Sequence, residues 1–217
     1  KGLWKNNKFG EYGCLFNNNG CYYQGQLNNG VAKGKGEITM KNKFKYIGDF
    51  DNNLPNGEGN LINLEDETNY NGHIINGIKE GFGTLEFNDG TKYEGEFKED
   101  KFNGKGKIIY SNGEEYEGEF KNNLKEGKGI FKWPDGKIYE GEFKNDEKNG
   151  KGKLFLEENK FYEGNWVNDQ QHGKGIYSQR RLADDLTITL SNASRLIKDL
   201  ADHDYIDMLG DGEIEIS

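Results

Sequence analysis

The placement of glycine constrains this chain more than any other feature. Glycines at positions 2, 25, 48, 72, 95, 118, 141 and 164 are 23 residues apart at every step but one, where the step is 24. Nine and eleven residues after an anchor come two more glycines: Gly34 and Gly36, Gly57 and Gly59, Gly81 and Gly83, and so on to Gly173 and Gly175. Only the first unit departs, with Glu11 before Gly13. The text around the anchor repeats as well. Tyr93-Glu94-Gly95-Glu96-Phe97 returns as Tyr116-Glu117-Gly118-Glu119-Phe120, as Tyr139-Glu140-Gly141-Glu142-Phe143 and as Tyr162-Glu163-Gly164-Asn165-Trp166. Thirteen residues after every anchor stands an apolar or aromatic residue, from Leu15 and Ile38 to Leu154 and Tyr177. A fixed period of this length means that each unit is one supersecondary element stacked on its neighbours. The one extra residue falls in Leu64-Glu65-Asp66-Glu67-Thr68, a loop by composition.

Each unit reads as two short strands. Tyr93, Gly95 and Phe97 are two apart and share a face, while Glu94 and Glu96 take the other. In the second strand Gly104, Gly106, Ile108 and Tyr110 share a face, opposed by Lys105 and Lys107. The unit is a hairpin with one aromatic and glycine face and one charged face. Asn88-Asp89-Gly90, Asn112-Gly113 and Asp135-Gly136 sit where one unit passes to the next and supply the positive φ of tight turns. Glycine inside a strand weakens a sheet unless something needs the space. Here the aromatic rings need it. They form two rows, one of tyrosines from Tyr23 to Tyr162 and one of Trp4, Leu27, Phe50, Ile74, Phe97, Phe120, Phe143 and Trp166. At ~4.8 Å per strand, eight such hairpins make a ribbon of roughly 75 Å.

That architecture explains an odd composition. Of 217 residues only 32% are hydrophobic and 31% are charged, with a mean hydropathy of -1.01. Such values describe disordered chains, yet 12 tyrosines, 13 phenylalanines and 3 tryptophans do not. The chain is ordered around something thinner than an ordinary core. Its net charge of -9 argues against sequence-independent nucleic-acid binding and against attraction to anionic membrane. No apolar stretch approaches the ~20 residues that span a bilayer, and no signal segment opens the chain, so a soluble protein is expected. Because it begins at Lys1, the chain is read as a processed form or part of something longer. Cys14 and Cys21 are too few for a disulfide framework and lack partners for a zinc site, which points to a reducing, cytoplasmic compartment.

The Tyr-x-Gly-x-Phe then Gly-x-Gly unit resembles the MORN repeat, the membrane occupation and recognition nexus, from Lys1 to about Tyr177. The resemblance implies a mainly β fold, an elongated single-layer antiparallel sheet of about eight hairpins. It also implies use as an interaction module or scaffold in ciliary and cytoskeletal assemblies, in junctophilins, or as an appendage of some phosphoinositide kinases and histone methyltransferases. Leu27 and Ile74, where an aromatic is usual, and Glu11 in place of glycine are departures.

A one-layer sheet has nothing behind its rings except solvent or a partner. The expected partner-binding groove is therefore Tyr70, Tyr93, Phe97, Tyr116, Phe120, Tyr139, Phe143, Tyr162 and Trp166, fitted to a peptide or helix of a protein partner. On the charged face Lys105, Lys128, Lys151 and Lys174 stand among Glu94, Glu96, Glu117, Glu119, Glu140 and Glu142, which reads as a solvated, register-fixing surface and not as a lipid patch. His73, His172 and His203 lie far apart with no nucleophile or metal-ligand spacing, and the glycines lack the strand-to-helix context of a phosphate loop. No catalysis, metal or cofactor is expected.

From Ser178 the composition changes, and residues 1–177 and 178–217 are read as two regions. The second carries 4 basic and 9 acidic residues. Arg181 to Leu186 reads as a short helix and Ser191 to Asp202 as a longer one, with Thr189 as cap and Ala193, Leu196, Ile197 and Leu200 on one stripe. Tyr205 to Met208 and Glu213 to Ile216 read as a hairpin. The segment resembles the helix-turn-helix and wing of bacterial winged-helix regulators, in which Ser191, Asn192, Ser194, Arg195 and Lys198 would face DNA. The first helix of such a domain is missing and the net negative charge opposes phosphate contact. The preferred reading is a helical element that caps or lines the array, with Leu196 and Ile197 supplying the contact. The chain is thus expected to be a non-enzymatic scaffold binding a protein partner, and open sheet ends would permit self-association. The alternatives are a nucleic-acid regulator acting through the tail and a membrane-targeting arm of a larger enzyme.

Overall fold

The computed structural model describes residues 2–5, 8–16, 20–157, 160–178, 189–202, 206–208 and 213–216. The chain forms two compact units, Lys1–Ser111 and Asn112–Ser217.

In the first unit the strands are β1 (Gly2–Lys5), β2 (Lys8–Phe16), β3 (Cys21–Asn28), β4 (Val31–Met40), β5 (Phe44–Asp51), β6 (Leu54–Asn63), β7 (Thr68–Ile75), β8 (Ile78–Glu86), β9 (Lys92–Lys98) and β10 (Lys101–Ile109). Successive strands from β1 to β10 pair antiparallel, a single layer with no crossover. Register is set by glycine facing glycine: Gly25 opposes Gly36, Gly48 opposes Gly59, Gly72 opposes Gly83 and Gly95 opposes Gly106.

The second unit continues the scheme with β11 (Glu115–Lys121), β12 (Leu124–Lys132), β13 (Ile138–Lys144), β14 (Glu147–Glu157), β15 (Lys160–Val167) and β16 (Gln170–Ser178). Then come a helix, α1 (Leu190–Asp202), and two short strands, β17 (Ile206–Met208) and β18 (Glu213–Ile216). Those two strands form the expected hairpin, with Ile206 opposite Ile216. β18 adds to the outer edge of β16, pairing Gly175 to Ser178 with Ile216 to Glu213. A strand, then, and not a helix, lies on that edge, because only a strand satisfies the open backbone groups of β16.

Helix α1 starts where its cap predicts. The Thr189 hydroxyl and carbonyl accept from the Asn192 N–H at 3.3 and 2.9 Å. Its stripe is narrower than expected: Ala193 and Ile197 are buried, but Leu196 is 39% exposed. The proposed helix over Arg181 to Leu186 lies outside the described residues.

Two kinds of turn join the strands. Inside a unit the turn has two residues, both at positive φ, as in Asn145 and Asp146 (50° and 72°) or Asn168 and Asp169 (49° and 66°). Asn and Asp tolerate that conformation, so these are the hairpin turns whose twist matches the strands. Between repeats, the loops at Gly90 and Gly136 end on one positive-φ glycine that donates to the Phe87 and Trp133 carbonyls, both at 3.0 Å, whereas the turns after β4 and β6 use Asn42 at 60° and Glu67 at 54°. The extra residue lies in a turn over Leu64 to Glu67, as its composition indicates.

Candidate functional site

The ring face comes first, because it decides which face is left open. Seven tyrosines occupy the same place in seven hairpins, and each folds back over its own glycine pair to donate its hydroxyl to a backbone carbonyl three residues on. The bonds run from Tyr23 to Gln26 at 2.7 Å through Tyr93 to Glu96 at 2.9 Å to Tyr162 to Asn165 at 3.2 Å. A Cβ on Gly106 would meet the Tyr93 ring at 2.5 to 2.7 Å, so the mid-strand glycine exists to seat the ring.

Between these tyrosines stands the second aromatic row. Phe50 meets Tyr23 and Tyr46 edge-on at 4.9 and 5.3 Å, Phe143 meets Tyr116 and Tyr139 at 5.0 and 5.1 Å, and Trp166 meets Tyr139 and Tyr162 at 5.3 Å each. Leu27 and Ile74, both buried, fill the places in this row where the ladder is aliphatic.

The residue seven after each anchor closes the face. Phe102 stacks on Tyr93 at 3.7 Å. Lys79, Lys125 and Lys148 lay their stems over the core and hold their ammonium groups 5.7 to 5.9 Å from the rings of Tyr70, Tyr116 and Tyr139. The same three lysines pair with Asp100, Asp146 and Asp169 in the turn of the next hairpin, at 3.2 to 3.4 Å. Those aspartates also accept from the lysines' own backbone N–H groups.

The expected groove is corrected by this packing. Tyr70, Tyr93, Phe97, Tyr116, Phe120, Tyr139, Phe143, Tyr162 and Trp166 are brought together, but each keeps 5% or less of its surface. They are the core of the sheet, packed on one another and roofed by Lys79, Phe102, Lys125 and Lys148, and they offer a partner almost no area. Burial drives the Tyr46 phenol up to about 12, and it pushes Tyr70, Tyr93 and Tyr139 higher still, helped by neighbouring carboxylates such as Glu58, Glu96 and Glu142.

The open face is the other one. In the second unit a groove of about 700 Å³ runs across β12 to β16 between Lys128, Ile130, Glu140, Lys151, Lys153 and Glu163. In the first unit one of about 670 Å³ is lined by Tyr12, Gln24, Lys35, Ile47, Glu58 and Asn60. A third, of about 320 Å³, includes Asn71, Thr84, Glu94, Lys107 and Ile109.

The floor is held rigid by a repeated bulge. The first glycine of each Gly-x-Gly pair takes positive φ, as Gly104 does at 98°. The acidic or amide side chain on the facing strand then accepts the next backbone N–H: Lys35 to Gln26 at 2.7 Å, Lys105 to Glu96 at 2.9 Å, Lys151 to Glu142 at 3.3 Å. Charges on this face do pair across strands, as Lys35 with Asp49 at 2.7 Å and Lys153 with Glu163 at 2.9 Å.

His73 holds Glu58 through Nδ1 at 3.1 Å, and His172 is exposed. His203 lies outside the described residues. Among the described residues no cluster of histidine, cysteine and carboxylate could hold a metal, and no helix is long and apolar enough to cross a membrane. Of the residues placed toward DNA, Asn192, Ser194, Arg195 and Lys198 are exposed on α1; Ser191 is in its first turn, its side chain outside the description.

The family comparison agrees with this repeat. The MORN repeat family matches seven stretches, 23–43, 46–62, 70–92, 93–115, 116–138, 139–155 and 162–179. The chain belongs to that family, a non-enzymatic repeat type. The β1–β2 hairpin precedes the first matched stretch. Among curated proteins nothing matches. Among solved structures, the TCP domain of SAS-4 (dCPAP) in complex with a proline-rich motif of Ana2 (dSTIL) of Drosophila melanogaster is similar with a TM-score of 0.41 and 15% identity, over 69% of this chain and 87% of that one.

Proposed function

We propose that the chain is a non-enzymatic scaffold that binds a protein partner, a peptide or a helix, across its open face. The observation that carries this is the contrast in chemistry between the faces. The tyrosine row and the row facing it are spent on the core, while the open face carries grooves of about 700 and 670 Å³ built on the same strands, one lined by Lys128, Ile130, Glu140 and Lys151 and the other by Tyr12, Gln24, Ile47 and Asn60. A surface varied over a constant frame suits recognition of extended protein segments. Family membership supports the same reading and suggests a cytoskeletal or ciliary assembly in the cytoplasm. Residues 178–217 are assigned the separate task of closing the array, because β18 covers part of the β16 edge.

The test is affinity capture with the full chain from a lysate of the source cell, followed by cross-linking and mass spectrometry. The expected result is a retained protein whose cross-links fall on Lys35, Lys105, Lys128, Lys151 and Lys153 of the open face. Cross-links confined to Lys198 on α1, or no retained protein, overturn the reading.

A further inference from the structure

At four open-face positions most hairpins carry polar or charged residues with at most one aliphatic among them, such as Leu54, Leu124 or Val167, and one hairpin carries three apolar residues. One, three, six and ten residues after Gly95 stand Glu96, Lys98, Lys101 and Lys105; after Gly141 stand Glu142, Lys144, Glu147 and Lys151. After Gly72 the same positions hold His73, Ile75, Ile78 and Phe82. Ile75 and Ile78 oppose each other beside the β7–β8 turn and are each 42% exposed. Phe82, at 60%, is the most exposed large hydrophobic side chain among the described residues. None of the three serves the core, which this hairpin builds from Tyr70 and Ile74, 1% and 0% exposed. Apolar side chains gathered on one hairpin of a polar face mark a contact site.

The border of the patch says what covers it. Glu96 on β9 stands opposite Phe82, and Glu58 on β6 stands opposite His73 with 70% of its side chain exposed. Glu80 lies within β8 itself. Two of these carboxylates are held in place by backbone N–H groups, Glu96 by that of Lys105 at 2.9 Å and Glu80 by that of Glu99 at 3.2 Å. An apolar centre bordered by three fixed or exposed carboxylates complements an apolar side chain with a cation beside it. Arginine suits it best, because its planar group can stack on Phe82 and still reach a carboxylate.

We propose that the Gly72 hairpin is the docking site of a basic amphipathic segment of a protein partner. The segment sets an aliphatic or aromatic side chain on Ile75, Ile78 and Phe82 and an arginine or lysine against Glu58, Glu80 and Glu96. This rests on the scaffold reading and gives it a place and a partner chemistry.

The experiment selects binders of the full chain from a library of short random peptides displayed on phage. The enriched peptides are then synthesised and their affinity is measured by fluorescence anisotropy at low and high salt. Four proteins are compared: the parent chain, Phe82→Lys, Glu58→Gln, and Ile130→Lys in the groove of the second unit. Phe82→Lys installs the residue that the Gly95, Gly118 and Gly141 hairpins carry at that position, so the fold is expected to persist, and circular dichroism checks it.

The expected peptides join a large apolar residue to arginine or lysine. They weaken by at least about tenfold on Phe82→Lys, lose part of their salt dependence on Glu58→Gln and are unmoved by Ile130→Lys. Enrichment of acidic peptides, or affinity indifferent to Phe82→Lys, overturns the proposal. Binding lost on Ile130→Lys instead overturns it while leaving the scaffold reading intact. A library that yields no binder also overturns it, and the scaffold reading then stands or falls on the cross-links to cellular protein.

Discussion

The two faces of this sheet are made by the same strands and follow opposite rules. On the ring face one arrangement recurs in hairpin after hairpin: a tyrosine over a glycine pair, its hydroxyl on a carbonyl three residues on, an aromatic or aliphatic neighbour at its edge and a stem or ring above. On the open face the backbone geometry recurs and the Glu and Lys rows repeat through the Gly95, Gly118 and Gly141 hairpins, but the earlier hairpins carry other side chains, and the Gly72 hairpin sets Ile75, Ile78 and Phe82 there. A chain with few aliphatic residues can be ordered when its aromatics are concentrated on one face. The other face is then released from the demands of folding. Substitutions on the ring face should therefore change stability, and those on the open face should change binding.

The largest effect is expected from alkali. A phenol whose pKa in the folded chain lies above its unfolded value of about 10 leaves stability intact below that pH. Above it, stability falls, because the unfolded chain releases a proton that the folded chain must keep. Tyr46 at about 12 and the higher Tyr70, Tyr93 and Tyr139 all act in this direction, so unfolding is expected as pH rises from about 10. Far-UV circular dichroism and tyrosinate absorbance should change together. Ionisation of these phenols with the sheet intact would break the claim that the face is closed.

Gly106→Ala comes next. Its Cβ would press on the Tyr93 ring, which Phe102 holds from stacking distance, so the ring has nowhere to go. A loss of about 3 kcal/mol in urea unfolding is expected. Tyr139→Phe keeps the ring but leaves the Glu142 carbonyl without its 3.1 Å bond, at a cost of about 1 kcal/mol by the same measurement. Lys35→Gln removes an ion pair with Asp49 whose lysine is 70% exposed on the open face, and should shift stability by less than about 0.5 kcal/mol. A Lys35→Gln cost equal to that of Tyr139→Phe would erase the distinction between the faces.

Much of this fold was legible because strand alternation and a glycine register leave little freedom. The hairpins, the glycine beneath each ring, the Leu64 to Glu67 loop and the Thr189 cap all follow from local pattern. The turns inside the hairpins had a signal that composition alone obscures: paired Asn and Asp residues such as Asn145-Asp146, with no glycine, in a conformation few other side chains tolerate. The Lys125 contact had no signal in its own unit. Its partner Asp146 lies 21 residues on, and a lysine at that position reads as solvated until its stem is seen against Tyr116.

Sequence by itself determined which residues share a face, because alternation along a strand is a property of the backbone and needs no partner. It also determined that the aromatics and glycines belong together, since only glycine leaves room for a ring to lie flat on a strand. Which of the two faces remains available was decided by tertiary structure alone. Closure depends on contacts between hairpins, on a ring wedged between two tyrosines and on a lysine stem pinned by the next turn, and those contacts exist only once neighbouring hairpins are stacked. The same stacking turned the row of rings that reads as a binding groove into the core, and it left the charged face, with Phe82 upon it, as the surface a partner meets.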